Sequence, residues 1–155
     1  MAIGDRLFYY PTSVVYGRPE SHGLTYESVC FESGDGTALH GWFFPSDGPT
    51  RGTIVHCHGN AGNITGHFEA VRWLPACGWN VLCFDYRGYG RSAGAPSRSG
   101  TIEDARAALR YALSRSDVDP RCVVMLGQSL GGSIGIVVAA ECDTLRGLAV
   151  EGAFS

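Results

Sequence analysis

Hydrophobic and polar positions along the chain fall into two textures. Residues 26–33 and 39–45 alternate, and Gly34-Asp35-Gly36 separates them. Alternation with period two around such a turn predicts an antiparallel hairpin. Further on, residues 53–57, 80–84, 122–126 and 147–150 are short continuous apolar runs, rich in Val, Ile and Leu. A strand needs a run of that kind when both of its faces are covered, as in a parallel sheet flanked by helices. The intervening segments carry helical spacing. Ile64, Phe68, Val71 and Leu74 share one face, which ends near Pro75 and Gly78. Ile102, Ala105, Leu109, Ala112 and Leu113 form a second stripe, with Ser99 or Thr101 as its cap. Leu130, Ile134, Val137 and Val138 form a third. The order is βαβαβαβ after a two-stranded lead-in. It predicts an α/β fold: a mostly parallel sheet, helices on both faces and an N-terminal antiparallel hairpin.

Composition narrows the classes. A chain of 155 residues, 45% apolar, is enough for one core and one domain. A formal charge of −3 with 17% charged residues gives none of the basic footprint of a nucleic-acid partner. No apolar stretch is long enough to predict a transmembrane segment, and the first six residues do not read as a signal peptide. Leu7-Phe8-Tyr9-Tyr10 is expected to pack on the protein body, with peripheral membrane contact as the alternative. The six cysteines, Cys30, Cys57, Cys77, Cys83, Cys122 and Cys142, include no CxxC pair. They are expected to be free thiols in a reducing, cytoplasmic setting.

Three segments carry candidate chemistry. Gly127-Gln128-Ser129-Leu130-Gly131-Gly132 follows the apolar run 122–126 and opens the third helical stripe. In that strand–turn–helix context a G-x-S-x-G match reads as a nucleophile elbow, with Ser129 projected above the sheet. Gly127 and Gly131 must be small because strand and helix nearly touch there. The start of the helix adds partial positive charge beside a developing oxyanion. A tight turn whose serine only caps the helix is the plainer alternative.

His56-Cys57-His58-Gly59-Asn60-Ala61-Gly62-Asn63 ends another predicted strand, on the edge where parallel sheets build sites. Acyl transfer needs two main-chain donors, and Leu130 and Asn60 are the candidates. His56 and His58 lie on one strand face with no third ligand evident, so no metal is expected. Asp85-Tyr86-Arg87-Gly88-Tyr89-Gly90-Arg91-Ser92 follows the run 80–84. Asp85 and Arg87 are expected to brace this loop through a charge-assisted hydrogen bond and so shape the rim of the site. Neither glycine-rich loop carries a phosphate-binding lysine or a dinucleotide fingerprint, which makes a nucleotide-binding domain the most distant alternative.

Together these segments, with the closing Val150-Glu151-Gly152-Ala153-Phe154, resemble the α/β-hydrolase superfamily, and within it the Bem46-like branch. The likeness runs from about Tyr26 to the end of the chain. It implies a serine hydrolase of carboxylic esters or thioesters, with a small-molecule acyl substrate, an acyl-enzyme at Ser129 and no metal or organic cofactor. Leu130 and Asn60 would hold the oxyanion, while Gly127, Gln128, Gly131, Gly132, His58, Gly59, Asp85 and Arg87 would support the elbow and loops. A serine peptidase of the same fold and a catalytically dead binding domain are the alternatives.

The sequence departs from that pattern after Ser129. In this fold the acid and then the histidine follow the serine. All five histidines, His22, His40, His56, His58 and His67, precede it, and the later carboxylates are Glu141, Asp143 and Glu151. Glu141 and Asp143 are expected at the far end of the third helix. Glu151 is an alternative acid, and His58 an unorthodox alternative base. The expectation is one domain over residues 1–155, incomplete at its C-terminus, with the cap region, last strands, acid and histidine missing. Such a chain would have little turnover alone. Its last strand would be an exposed edge prone to dimerisation or aggregation.

Overall fold

The computed structural model describes residues 8–153, and its elements there include eight strands and three α-helices. In order these are β1 (Tyr10–Pro11), β2 (Glu27–Glu32), β3 (Ala38–Phe44), β4 (Gly52–Cys57), β5 (Ala61–Gly62), α1 (Ile64–His67), β6 (Trp79–Phe84), α2 (Arg98–Ser114), β7 (Val123–Gln128), α3 (Leu130–Ala140) and β8 (Gly147–Glu151). Met1–Leu7 and Phe154, for which the sequence carries expectations, lie outside the described residues.

Six strands form one sheet in the order β2-β3-β6-β4-β7-β8. The alternating pair β2–β3 is antiparallel, and β3 joins β6 antiparallel as well. The continuous apolar runs form the parallel part, β6-β4-β7-β8. Their residues alternate between two cores, as strand geometry demands. Val55, Leu82 and Met125 pack with α2 and α3, while Ile54, Val81 and Cys83 pack with α1 and the turns after it. The sheet is thus covered on both faces. The strand β4 lies between β6 and β7, so the chain leaves it on one side and returns on the other. Open α/β sheets form their binding crevice at such a switch point, here the carboxyl ends of β4 and β7.

Three local expectations are corrected. The stripe Ile64, Phe68, Val71 and Leu74 is buried, but the segment is one short α-helix followed by 3-10 turns at Phe68–Ala70 and Pro75–Cys77. Spacing by three from Phe68 onward fits the three-residue turn of a 3-10 helix better than an α-helix. The cap of α2 is Ser97, whose hydroxyl accepts the Gly100 N–H at 3.1 Å; Ser99 and Thr101 lie inside the helix. On α3, Leu130, Ile134 and Val138 are buried, whereas Val137 is exposed.

The Asp85–Arg87 brace is also not formed. Arg87 turns instead to Asp104 of α2, whose carboxylate is fully buried, at 2.8 Å, and to Asp35 of the β2–β3 turn at 2.7 Å. Asp104 accepts the Arg87 main-chain N–H as well, at 2.8 Å, and the Ser33 hydroxyl at 2.8 Å. One carboxylate thereby ties the loop after β6, the β2–β3 turn and α2 together. Asp104 lies on the apolar side of α2 beside Ala105 and Ala108. A carboxylate on a buried helical stripe requires a partner, and that was the readable signal for this pair. Asp85 has its own task. Its Oδ1 accepts the Ile64 N–H at 2.8 Å and so pins the start of α1 to the end of β6.

Removing Asp104 strands a buried guanidinium. Asp104→Ala is expected to lower unfolding free energy by about 3 kcal/mol, read as a lower urea midpoint at unchanged slope. Asp35→Ala, at a carboxylate more than half exposed, should lower it far less.

Asp85 yields a pH prediction. Burial raises its carboxyl to about 7, against the opposing pull of the Ile64 and Arg91 main-chain N–H groups. Between its ordinary value and about 7 the folded protein holds a proton that the unfolded chain has lost. Its contribution to stability is therefore complete in acid and declines as pH rises through that window. Asp85→Asn should flatten the dependence of urea unfolding on pH between about 4 and 7.

Candidate active site

The strand β7 ends at Gln128 and α3 begins at Leu130, leaving Ser129 alone in the turn. Its backbone has φ 52° and ψ −116°, the only positive φ at a non-glycine among the described residues. A side chain held there is strained and persists only where its surroundings over-determine it. Those surroundings are on view. The Ser129 N–H donates to the Glu151 carbonyl at 2.8 Å, and the Ser129 carbonyl accepts the Gly132 N–H at 2.9 Å.

Three glycines make the turn possible. A methyl group on Gly127 would strike the carbonyl of Gly131, and one on Gly131 would strike the carbonyls of Cys57 and His58. One on Gly132 would sit 2.8 Å from Val150 and Ala153. The helix is thus pressed onto the ends of β4 and β8, with its N-terminus at the switch-point crevice. Leu130, the first helical residue, offers a main-chain N–H that an α-helix leaves without an intrahelical acceptor.

The loop after β4 comes to the same place. A methyl group on Gly59 would lie 3.8 Å from the Ser129 Cβ. The His58 Nδ1 donates to the Gly59 carbonyl at 2.7 Å. In a trans peptide the C=O and the following N–H point in opposite directions. A Gly59 carbonyl gripped by the buried His58 therefore turns the Asn60 N–H the other way. Leu130 and Asn60 are the two donors expected from the sequence, and the fold brings their segments together beside Ser129.

His58 is unsuited to act as the base. Its ring is fully buried, burial holds its pKa well below the usual histidine value, and Nδ1 is engaged. Its Nε2 lies 3.6 Å from Asp85 Oδ1, too far for a hydrogen bond. What the two side chains do hold is main chain: His58 Nδ1 grips the Gly59 carbonyl and Asp85 Oδ1 the Ile64 N–H.

A second polar chain runs behind the serine. Gln128 Nε2 donates to the Glu151 carboxylate at 2.7 Å, which turns its Oε1 toward His56 Nε2, also at 2.7 Å. His56 is buried, and burial lowers its pKa to about 4, so it stays neutral and donates. Gln128 and Glu151 face each other in the β7–β8 register. Glu151 thus contributes its carbonyl to the elbow and its carboxylate to Gln128. The bridging role of Gln128 is specified by partners remote in sequence, so no local pattern announces it.

The other titratable residues lie elsewhere. Glu141 pairs with Arg106 at 2.7 Å, at the far end of α3, and Asp143 follows it. His22 meets Glu69, His40 meets Ser28, and His67 meets the Ala61 carbonyl. Among the described residues no histidine is hydrogen-bonded to Ser129, and no group of three His, Cys, Asp or Glu side chains could hold a metal ion. All six cysteines are free thiols, and burial raises the Cys57 thiol to about 12. No helix among the described residues is long and apolar enough to cross a membrane.

Comparison with known proteins supplies the family and the likeness of fold. The family model Hydrolase_4, described as serine aminopeptidase, S33, matches residues 48–154. The chain is 42% identical over 159 residues to the uncharacterized protein YfhR of Escherichia coli (strain K12), covering 99% of this chain and 55% of that protein. It is 38% identical to the α/β hydrolase domain-containing protein WAV2 of Arabidopsis thaliana, covering 100% and 53%, and 31% identical to protein bem46 of Schizosaccharomyces pombe, covering 88% and 47%. The chain thus spans about half the length of these curated relatives. Among solved structures, the Pyrococcus furiosus esterase Pf2001 superposes with a TM-score of 0.80 over 94% of this chain and 57% of its own, at 23% identity, a likeness of fold. The chain belongs to the serine aminopeptidase S33 family of α/β-hydrolases, and its resemblance is to the Bem46-like branch.

Proposed function

We propose that this chain is the nucleophile-bearing part of a serine hydrolase that cleaves carboxylic esters or thioesters through an acyl-enzyme at Ser129. The observation that carries the reading is the strained backbone of Ser129 between β7 and α3, at φ 52°. Such strain is kept where it serves a reaction, here by presenting a hydroxyl at the mouth of the crevice.

In this reading the Ser129 oxygen attacks the acyl carbonyl. The main-chain N–H groups of Leu130 and Asn60 receive the negative charge that develops on the carbonyl oxygen, aided by the start of α3. The alkoxide or thiolate leaves with a proton, and water then releases the acid from Ser129. The base that takes the serine proton is a histidine positioned by an acid, neither of which stands beside Ser129 among the described residues; the chain matches only about half the length of its relatives. Glu151, already engaged with Gln128, is an elbow support. A peptide substrate is the second reading, favoured by the aminopeptidase description of the family, since the chemistry at the carbonyl is shared.

Labelling with a fluorophosphonate probe tests the proposal. The complete gene product should label and its Ser129→Ala variant should not, while the 155-residue chain alone should label at least about a hundredfold more slowly for want of a base. Equal labelling of wild type and Ser129→Ala would refute the nucleophile. Turnover of the complete product on p-nitrophenyl butyrate against an aminoacyl p-nitroanilide then separates ester from peptide cleavage: the ester should be cleaved, and cleavage of the anilide alone would favour the peptidase.

A further inference from the structure

The N-terminal segment from Phe8 to Tyr16 runs across the loop that carries Asn60 and is stitched to it along its length. Tyr10–Pro11 pairs in parallel with Ala61–Gly62, a two-stranded ribbon outside the main sheet. The Asn60 side chain sits at the centre of the seam. Its Nδ2 donates to the Phe8 carbonyl at 2.5 Å. Its Oδ1 accepts the Tyr10 N–H at 3.2 Å and the Tyr89 hydroxyl at 2.9 Å. Asn63 continues the seam, its Nδ2 donating to the Thr12 and Val14 carbonyls at 2.8 Å each. The Thr65 hydroxyl accepts the Tyr16 N–H at 3.0 Å, and the Gly90 N–H donates to the Thr12 carbonyl at 3.1 Å.

These bonds do more than tether a terminus. Few residues between Asn60 and Thr65 escape the seam, and the glycines beside them leave the loop with little stiffness of its own. The peptide that presents the Asn60 N–H is then fixed from two sides. Behind it, the buried His58 holds the Gly59 carbonyl at 2.7 Å. Ahead of it, the Asn60 side chain is locked by Phe8, Tyr10 and Tyr89. A donor aimed at developing charge is effective only while its direction is fixed before the reaction. The segment is also lightly anchored: Tyr9 is buried, whereas Phe8, Tyr10, Val14, Val15 and Tyr16 are all more than 40% exposed. Tyr9 joins the main core, and along the rest of the segment the hold on the Asn60 loop is carried largely by hydrogen bonds.

We infer that the segment 8–16 is a strap that sets the Asn60 main-chain N–H for oxyanion binding, with Tyr10 and Tyr89 as positioning residues acting through the Asn60 side chain. The inference rests on the proposed role of Ser129 and Asn60. It adds a part of the chain outside the main sheet to the reacting centre, and it gives the side chain of Asn60 a task separate from that of its main chain.

The test is the fluorophosphonate reaction of the complete gene product, followed over probe concentration so that the limiting rate separates from the half-saturating concentration. Tyr10→Pro removes the N–H donated to Asn60, and Tyr89→Phe removes only a hydroxyl. Each should lower the limiting rate about tenfold, leave half-saturation within twofold, and leave the thermal midpoint of Tyr89→Phe within about 2 °C of wild type. Unchanged limiting rates in both variants, with Ser129→Ala unreactive, would overturn the strap and spare the nucleophile. Loss of rate only in step with loss of folded protein would also overturn it, since that marks a structural role. A reactive Ser129→Ala would overturn the parent reading and this inference with it.

Discussion

The near-contact between the first turn of α3 and the end of β4 is the constraint on which the rest of the structure depends. At Gly131 there is no room for even one more carbon, because the carbonyls of Cys57 and His58 occupy the place. That approach forces the chain to turn within a single residue, and the single residue is Ser129. Gly127 and Gly132 permit the same turn on its other flanks. Because the strand before the loop and the helix after the elbow touch, one packing event brings the Asn60 and Leu130 segments together, and the segment 8–16 then holds the Asn60 side of the pair.

Around that contact the protein spends buried polar groups on holding loops. Asp104 binds Arg87, Ser33 and a main-chain N–H, so three elements share one carboxylate. Asp85 fixes the start of α1, His58 fixes the Gly59 carbonyl, and neutral His56 fixes Gln128, which in turn holds Glu151. Each is a buried polar group kept by its partners; His58 grips the next residue of its own loop, and the other partners lie in different elements, so the loops at the crevice are held with the precision of the sheet. Burial keeps both histidines neutral, which suits donors to fixed acceptors and disqualifies them as exchangeable bases.

Much of this was legible in the sequence for a physical reason. Continuous apolar runs signal strands covered on both faces, and the runs at 53–57, 80–84, 122–126 and 147–150 became β4, β6, β7 and β8 with shifts of at most two residues at either end. Glycine spacing around Ser129 reported a close approach that only glycine permits. What escaped was of another kind. The partner of Arg87 is Asp104, not the nearby Asp85, because pairing across the fold depends on which helix lands beside the loop. The seam between residues 8–16 and the Asn60 loop joins segments about fifty apart and leaves no periodic trace. The stripe from Ile64 to Leu74 was correct as a buried face and wrong as one helix, since burial records the side and not the pitch.

The measurement that tests the central constraint most directly is urea unfolding of Gly131→Ala beside Gly135→Ala. Both positions lie in α3, where alanine alone should stabilise by about 1 kcal/mol. At Gly135 the added carbon would meet only the flexible end of Leu148, at 3.2 Å. At Gly131 it would meet main-chain carbonyls that cannot move without opening the sheet. The account predicts that Gly135→Ala is neutral or stabilising and that Gly131→Ala destabilises by about 2 kcal/mol or more. A Gly131→Ala protein as stable as wild type would contradict it.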